Sequence, residues 1–239
     1  MKKITYMLLV LALATTTLSG CTNKDEIQSL KSQIKLKEDQ VEALDKVVKS
    51  NDEKVKELEK QVEEYKVKLN TEANIVLNQA FVVINVLKEK DMNSLASYIH
   101  PEKGVRITPY SYIEPQTNLV FTAQDMIGLL QNTQIYIWGE YDGTGDPIEA
   151  TFSDYYDQFI YDVDFANADT IGNNTIVSTS GNMVNNLTQV YPTESFVEFH
   201  FAGFDAQYAG MDWKSLRLVF EDVSGTWYLV GIIHDQWTI

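Results

Sequence analysis

The chain has 239 residues, of which 34 are acidic and 19 basic, for a net charge of −15, with hydrophobic residues at 44%. This balance suits a folded protein and excludes a disordered polyelectrolyte, and a single cysteine excludes both a disulfide framework and a cysteine metal site. The acidity argues against nucleic acid and anionic lipid headgroups as ligands, which need clustered Lys and Arg, but is compatible with peptides, sugars or cations.

The N-terminus reads as an address. Met1-Lys2-Lys3 precedes an apolar and small-residue run from Ile4 to Leu18, and Leu18-Ser19-Gly20-Cys21 follows. A positive n-region, an apolar h-region and small residues before a cut form a secretory signal. The run is shorter than the roughly 20 apolar residues of a spanning helix, and Thr15, Thr16 and Thr17 interrupt it. Leu-Ser-Gly-Cys resembles the lipobox of bacterial lipoproteins. That resemblance implies cleavage of residues 1–20, diacylglyceryl and palmitate-type acylation of Cys21, and residence on the extracytoplasmic face of the cell membrane. Two acyl chains suffice for stable anchoring where one does not. Thr22 after the cysteine gives no argument for inner-membrane retention, the lysine-rich style suits a single-membrane host, and the terminal Ile239 does not suggest a lysine link to the wall.

After a linker over 21–26, residues 27–70 form the expected stalk. Proline and glycine are absent from Lys24 to Leu69, and apolar residues recur at three- and four-residue steps. With Ile27 at position a of a heptad, the a sites are Ile27, Ile34, Val41, Val48, Val55, Val62 and Leu69. The d sites are Leu30, Lys37, Leu44, Asn51, Leu58 and Tyr65. Branched residues at a with leucine at d favour a parallel two-stranded coiled coil, and polar Lys37 and Asn51 trade stability for register. The pairs Glu26 with Lys31 and Lys54 with Glu59 suit parallel strands. A homodimer is therefore expected, although the stripe alone also allows a single solvated helix or one folded back on the rest of the chain. At 1.5 Å per residue the segment would reach roughly 65 Å.

Residues 71–239 have a different composition. All ten phenylalanines, all four tryptophans and eleven of thirteen tyrosines fall there, with six basic residues against 22 acidic, a net charge of −16. About 170 residues suffice for one globular domain. The pattern predicts a broad, mostly buried helix over 71–90 and a short helix capped by Asp91 and ended by His100-Pro101. It then predicts a strand within 104–112, a helix over 122–131, a strand over 134–140 and a helix opened by Thr151 and Asp154. Strands follow over 175–180, 195–201, 214–222 and 226–233, the last two joined by Ser224-Gly225, a hairpin signal. Helices first and an antiparallel sheet after give an α+β domain.

The stretch from Leu87 to Pro101, with the paired strands at Leu216–Phe220 and Trp227–Ile233, resembles the nuclear transport factor 2-like, or cystatin-like, cone fold. That likeness implies a strongly curved sheet around a central cavity. Gly104-Val105-Arg106, Met211-Asp212-Trp213 and the ending His234-Asp235-Gln236-Trp237-Thr238-Ile239 are similar to a group of bacterial lipoproteins with no assigned activity. The cone fold hosts enzymes, carriers and interaction modules, so it does not select among them.

Enzymes on this fold pair a histidine or tyrosine with an aspartate in the cavity, which makes His234, Asp162, Asp164 and Tyr110 the candidate pocket residues. Asp162 and Asp164, two apart on an extended stretch, should point the same way, whereas adjacent His234 and Asp235 should face opposite ways. Acid–base work would require a desolvated carboxylate beside a hydroxyl such as Tyr110 or Tyr161. No metal or cofactor is expected: His100, His200 and His234 lack zinc spacing, Asp142 to Asp146 misses an EF-hand, and phosphate-loop and serine-elbow motifs are missing. The expected function is a membrane-anchored, non-enzymatic binding or interaction module for a protein or small molecule, presented on a coiled-coil stalk. The alternative is a dehydratase- or isomerase-like enzyme; a transporter-feeding solute receptor is disfavoured because two lobes and a hinge are missing.

Overall fold

A computed structural model describes residues 24–178 and 184–238. The signal segment and Cys21 lie outside the described residues. The chain divides into two compact units, one ending at Tyr65 and the other beginning at Lys66.

The first unit is helix throughout its described part, the leading portion of α1 (Lys24–Lys88). Nothing in its sequence breaks the hydrogen-bond ladder, and ion pairs one turn apart such as Lys46 with Glu42 (2.9 Å) line its surface. Its apolar seam is exposed, from 41% at Ile27 to 67% at Tyr65, among the described residues.

The second unit opens with the last turns of α1. The compositional shift near Asn70 does not interrupt the helix, because neither Asn70 nor Thr71 is followed by proline or glycine. Val76, Ala80, Val83, Ile84 and Leu87 are buried at steps of four, three, one and three, a single face of the helix. The expectation of a mostly buried helix over 71–90 is therefore corrected. Ile75, Phe81 and Val82 stand partly exposed, since only one face meets the core. Asp91 caps α2 (Met92–Ala96) by accepting from the Ser94 N–H at 3.0 Å. Strands β1 (Val105–Thr108) and β2 (Val120–Phe121) follow, then α3 (Ala123–Met126), whose Thr122 and Asp125 form a capping box. Next come β3 (Tyr136–Glu140), β4 (Pro147–Ala150) and α4 (Phe152–Tyr155), which Thr151 caps. The chain continues through β5 (Thr170–Asn173), α5 (Leu187–Val190), β6 (Ser195–Phe201), β7 (Lys214–Val223) and β8 (Thr226–Gln236).

Six strands form one sheet in the order β2-β1-β8-β7-β6-β5, with β3 and β4 as a separate hairpin. The sheet is mixed where a purely antiparallel one was expected, because β1 enters beside β8 in parallel, Ile107 opposite Ile232. A parallel neighbour needs a long crossover, here the whole stretch between β1 and β8. A bulge between Val219 and Phe220 interrupts the register of β7 with β8, and an extra residue at such a point bends and twists the strands. The β7–β8 turn has Ser224 at φ 54° and Gly225 at φ 88°, the two positive values of a tight hairpin turn.

Of the expected strand over 175–180, residues 175–178 are not strand and 179–180 lie outside the described residues; β5 forms five residues earlier. Asn174 turns the chain at φ 49°, and the returning segment passes so close that a Cβ on Gly172 would lie 2.2 Å from the Thr175 carbonyl oxygen. The main core lies between α1 and the sheet and is filled with rings: Trp138 stacks on Tyr155 at 3.8 Å, and Tyr155 on Phe159 at 5.1 Å. Trp138 satisfies its indole N–H on the Ala150 carbonyl at 3.1 Å, and Tyr156 donates its hydroxyl to the Leu87 carbonyl.

Candidate functional site

Alternation along β6, β7 and β8 gives the sheet two different faces. Val197, Phe199, Leu216, Leu218, Phe220 and Ile232 join the main core beneath α1, and Phe81 of that helix meets Phe199 edge-on at 5.9 Å. On the other face the same strands place Glu198, His200, Ser215, Arg217 and Asp235. Beside them sits a smaller apolar cluster that includes Ile113, Leu187, Phe196 and Ile233. Adjacent His234 and Asp235 therefore belong to opposite faces, and each has its own polar group.

His234 is on the core face and wholly buried. Its Nδ1 lies 3.1 Å from the Pro109 carbonyl oxygen, which can only accept, so Nδ1 carries the proton. Its Nε2 lies 3.3 Å from Asp162 Oδ1, and Asp162 also pairs with Lys214. Burial acts to raise the Asp162 carboxyl, but its neighbours His234 and Lys214 bring it below its ordinary value. Phe159 and Phe165 stand edge-on to the imidazole at 5.6 and 6.4 Å. With His234 at 0% exposure and the Asp162 side chain at 6%, a substrate has no route to either.

The other two pocket candidates lie apart from this pair. Asp164 does not point with Asp162: it is exposed at the start of a short 3-10 turn, where it takes hydrogen bonds from Lys88, Tyr161 and Asn167. Those bonds, Lys88 first, hold its carboxyl down at about 2. The extended geometry assumed for 161–164 gives way at the turn, which separates the two carboxylates. Tyr110 is half-buried; its ring meets Phe159 edge-on at 5.9 Å and its hydroxyl accepts from the Asp142 N–H at 3.4 Å. Burial pushes its phenol up. The expected four-residue pocket is therefore reduced to the sealed pair His234 and Asp162.

The second polar group is larger. Glu198 and Arg217 are direct cross-strand neighbours, both side chains at 0% exposure. Arg217 Nε donates to Glu198 Oε2 at 3.1 Å, and Nη2 donates to Asp235 Oδ2 at 2.7 Å and to the Ser178 hydroxyl. Glu198 accepts as well from Ser215 Oγ at 2.7 Å and from the N–H groups of Val177 and Ser178 at 2.8 and 3.1 Å. Those two N–H groups are thus spent on a carboxylate, which is why 175–178 pairs with no strand. Burial works against ionisation of Glu198, yet the Arg217 charge and the hydrogen bonds hold its pKa below the ordinary value. Burial wins at Asp235 and raises it despite Arg217.

His200 extends this network outward. Its Nδ1 lies 2.8 Å from Ser215 Oγ. Ser215 gives its only proton to Glu198, so its oxygen can only accept from His200, which fixes the proton on Nδ1 and leaves Nε2 as an acceptor. Burial, only partly opposed by the Glu198 charge, lowers the His200 pKa and keeps the ring neutral at neutral pH. His200 reaches the wall of an open cavity of about 250 Å³ together with Trp213, Trp237, Met211, Val177 and Gly210. Trp213 is buried, and its indole N–H has no partner among the described residues. Asp212 fixes the loop above by accepting from the Phe204 and Asp205 N–H groups at 2.9 and 2.8 Å.

Sequence reasoning considered His200 only as a metal ligand and passed over Glu198 and Arg217. The signal was present: a glutamate in Ser195-Phe196-Val197-Glu198-Phe199-His200-Phe201 and an arginine in Leu216-Arg217-Leu218 interrupt two strongly apolar strands, and such charges are buried only in pairs. Among the described residues, no cluster of three or more His, Cys, Asp and Glu side chains could hold a metal ion. No protein-family profile, curated protein or solved structure matches the chain.

Proposed function

We propose that this protein is a lipoprotein anchored through Cys21 to the extracytoplasmic face of the cell membrane, whose coiled-coil stalk bears a non-enzymatic binding domain of the cone class. The anchor rests on Leu18-Ser19-Gly20-Cys21 and the run before it; no described helix is long and apolar enough to cross a membrane. The uncovered seam from Ile27 to Leu69 supports a parallel two-stranded coil as its cover, because eleven apolar side chains along one stripe gain burial only from a partner. The long helix, the short capped helix and the bulged, bent β7–β8 pair support the cone reading.

One observation favours binding over catalysis: the interior charges close on one another. Asp162 is engaged by His234 and Lys214, and Glu198 and Asp235 are engaged by Arg217, and of these groups only Lys214 has appreciable exposure, at 26%. Such groups hold the fold, while the open cavity at His200 sits where β6 ends and β7 begins. The anchor is tested with Cys21→Ser in the native host. The wild type is expected in the membrane fraction with incorporated labelled palmitate, accessible to external protease after wall removal. The variant is expected without label and outside the membrane fraction. A variant that fractionates and labels like wild type refutes the anchor.

A further inference from the structure

We propose that the groove lined by Arg106, Tyr191 and Glu194 binds a short apolar peptide as a zwitterion, its free carboxylate on Arg106 and its free ammonium on Glu194. The inference rests on the binding-module reading and assigns that module a ligand class.

The groove has a volume of about 460 Å³, within the range of small-molecule sites, and is walled by residues of β1, β2 and β8 and by α5 with the segment after it. Charge pairing singles it out. Residues 71–239 contain six basic side chains, and five of them, Lys88, Lys90, Lys103, Lys214 and Arg217, meet a carboxylate at hydrogen-bond distance. Arg106 makes no such pair among the described residues, although acidic residues outnumber basic ones 22 to six. Its Nη1 donates to the Pro115 and Asn118 carbonyls, both at 3.1 Å, which orients the guanidinium and leaves the Nε and Nη2 edge of its fork for a further acceptor. Glu194 shares the groove wall and likewise meets no cation at pairing distance among the described residues; its Oε2 accepts only from the N–H and hydroxyl of neighbouring Thr193.

The two unpaired charges converge on Tyr191. Arg106 stands opposite Gly231 in the β1–β8 ladder, and a Cβ at Gly231 would lie 3.4 Å from the Tyr191 hydroxyl, which places that hydroxyl beside the arginine. Burial raises the Tyr191 phenol; Arg106 acts against the rise and Glu194 adds to it. Lys103 and Glu221, also in the wall, neutralise each other at 2.6 Å. A simple anion would therefore face Glu194 and a simple cation would face Arg106, whereas a zwitterion complements both. Val120, Val190 and Val230 supply the apolar wall against which an aliphatic side chain gains burial.

L-Alanyl-L-leucine is the probe, titrated into the full chain in detergent and followed by calorimetry. It is expected to bind with a Kd on the order of 1 mM, as befits so few atoms. N-acetyl-alanyl-leucine, which lacks the ammonium, and alanyl-leucine amide, which lacks the carboxylate, should each bind at least tenfold more weakly. Glu194→Gln should weaken alanyl-leucine about tenfold with Tm unchanged, and should leave the affinity for the acetylated peptide as it is in wild type. No binding of alanyl-leucine, or either capped peptide bound as tightly as the free one, overturns the proposal. Because those comparisons use wild-type protein, they decide even if the variant folds poorly. A Glu194→Gln protein that folds and binds alanyl-leucine like wild type also overturns it. The parent reading fails differently: alanyl-leucine bound but split into alanine and leucine, as seen in its proton NMR spectrum, would refute a non-enzymatic module while leaving the site in place.

Discussion

Arg217 is the residue on which most depends. Its guanidinium sits at 0% exposure between Glu198 and Asp235, and its fork satisfies one carboxylate through Nε and another through Nη2. A buried ion pair adds little compared with an apolar replacement of the whole group, but removing one partner strands the others in a low-dielectric interior. Arg217→Met leaves Glu198 and Asp235 without a counter-charge. It should cost about 3–5 kcal/mol, read from urea denaturation of the purified chain. A loss under about 1 kcal/mol would mean that the two carboxylates are held by something other than Arg217. His234 and Asp162 form the corresponding buried group on the opposite face.

At the scale of elements, the helices and long strands were the most legible. The heptad pattern fixed α1, Asp91 and Thr151 announced their helices, and Ser224-Gly225 placed the hairpin between β7 and β8. Local chemistry decides these features. What escaped was decided at a distance. Residues 175–178 have strand-like composition, but Val177 and Ser178 give their N–H groups to the Glu198 carboxylate, 21 and 20 residues away in sequence. The parallel docking of β1 beside β8 joins segments more than a hundred residues apart. The candidate site was missed for the same reason, since Glu198 and Arg217 acquire meaning only once β6 and β7 are in register. The seam of α1 carries its own prediction. Leu58 is a d residue, 59% exposed in a single chain, and Leu58→Asp places a charge where two helices would meet. Sedimentation should show wild type as a two-chain particle and Leu58→Asp as a single chain with its domain still folded; a wild type sedimenting as one chain refutes the coil.

For the whole molecule, charge and address fit together. A domain with a net charge of −16 is repelled by anionic membrane surfaces, so the proposed membrane residence would require a covalent anchor. In the proposed reading, a stalk free of proline and glycine from Lys24 to Leu69 would separate two tasks in sequence, attachment at Cys21 and binding beyond Lys66. The most direct measurement is the intact mass of the protein recovered from native membranes. The account predicts a chain that begins at Cys21 and carries the added mass of a diacylglyceryl group, with nothing left of residues 1–20. A chain that begins at Met1, or one that begins elsewhere without lipid, would contradict it.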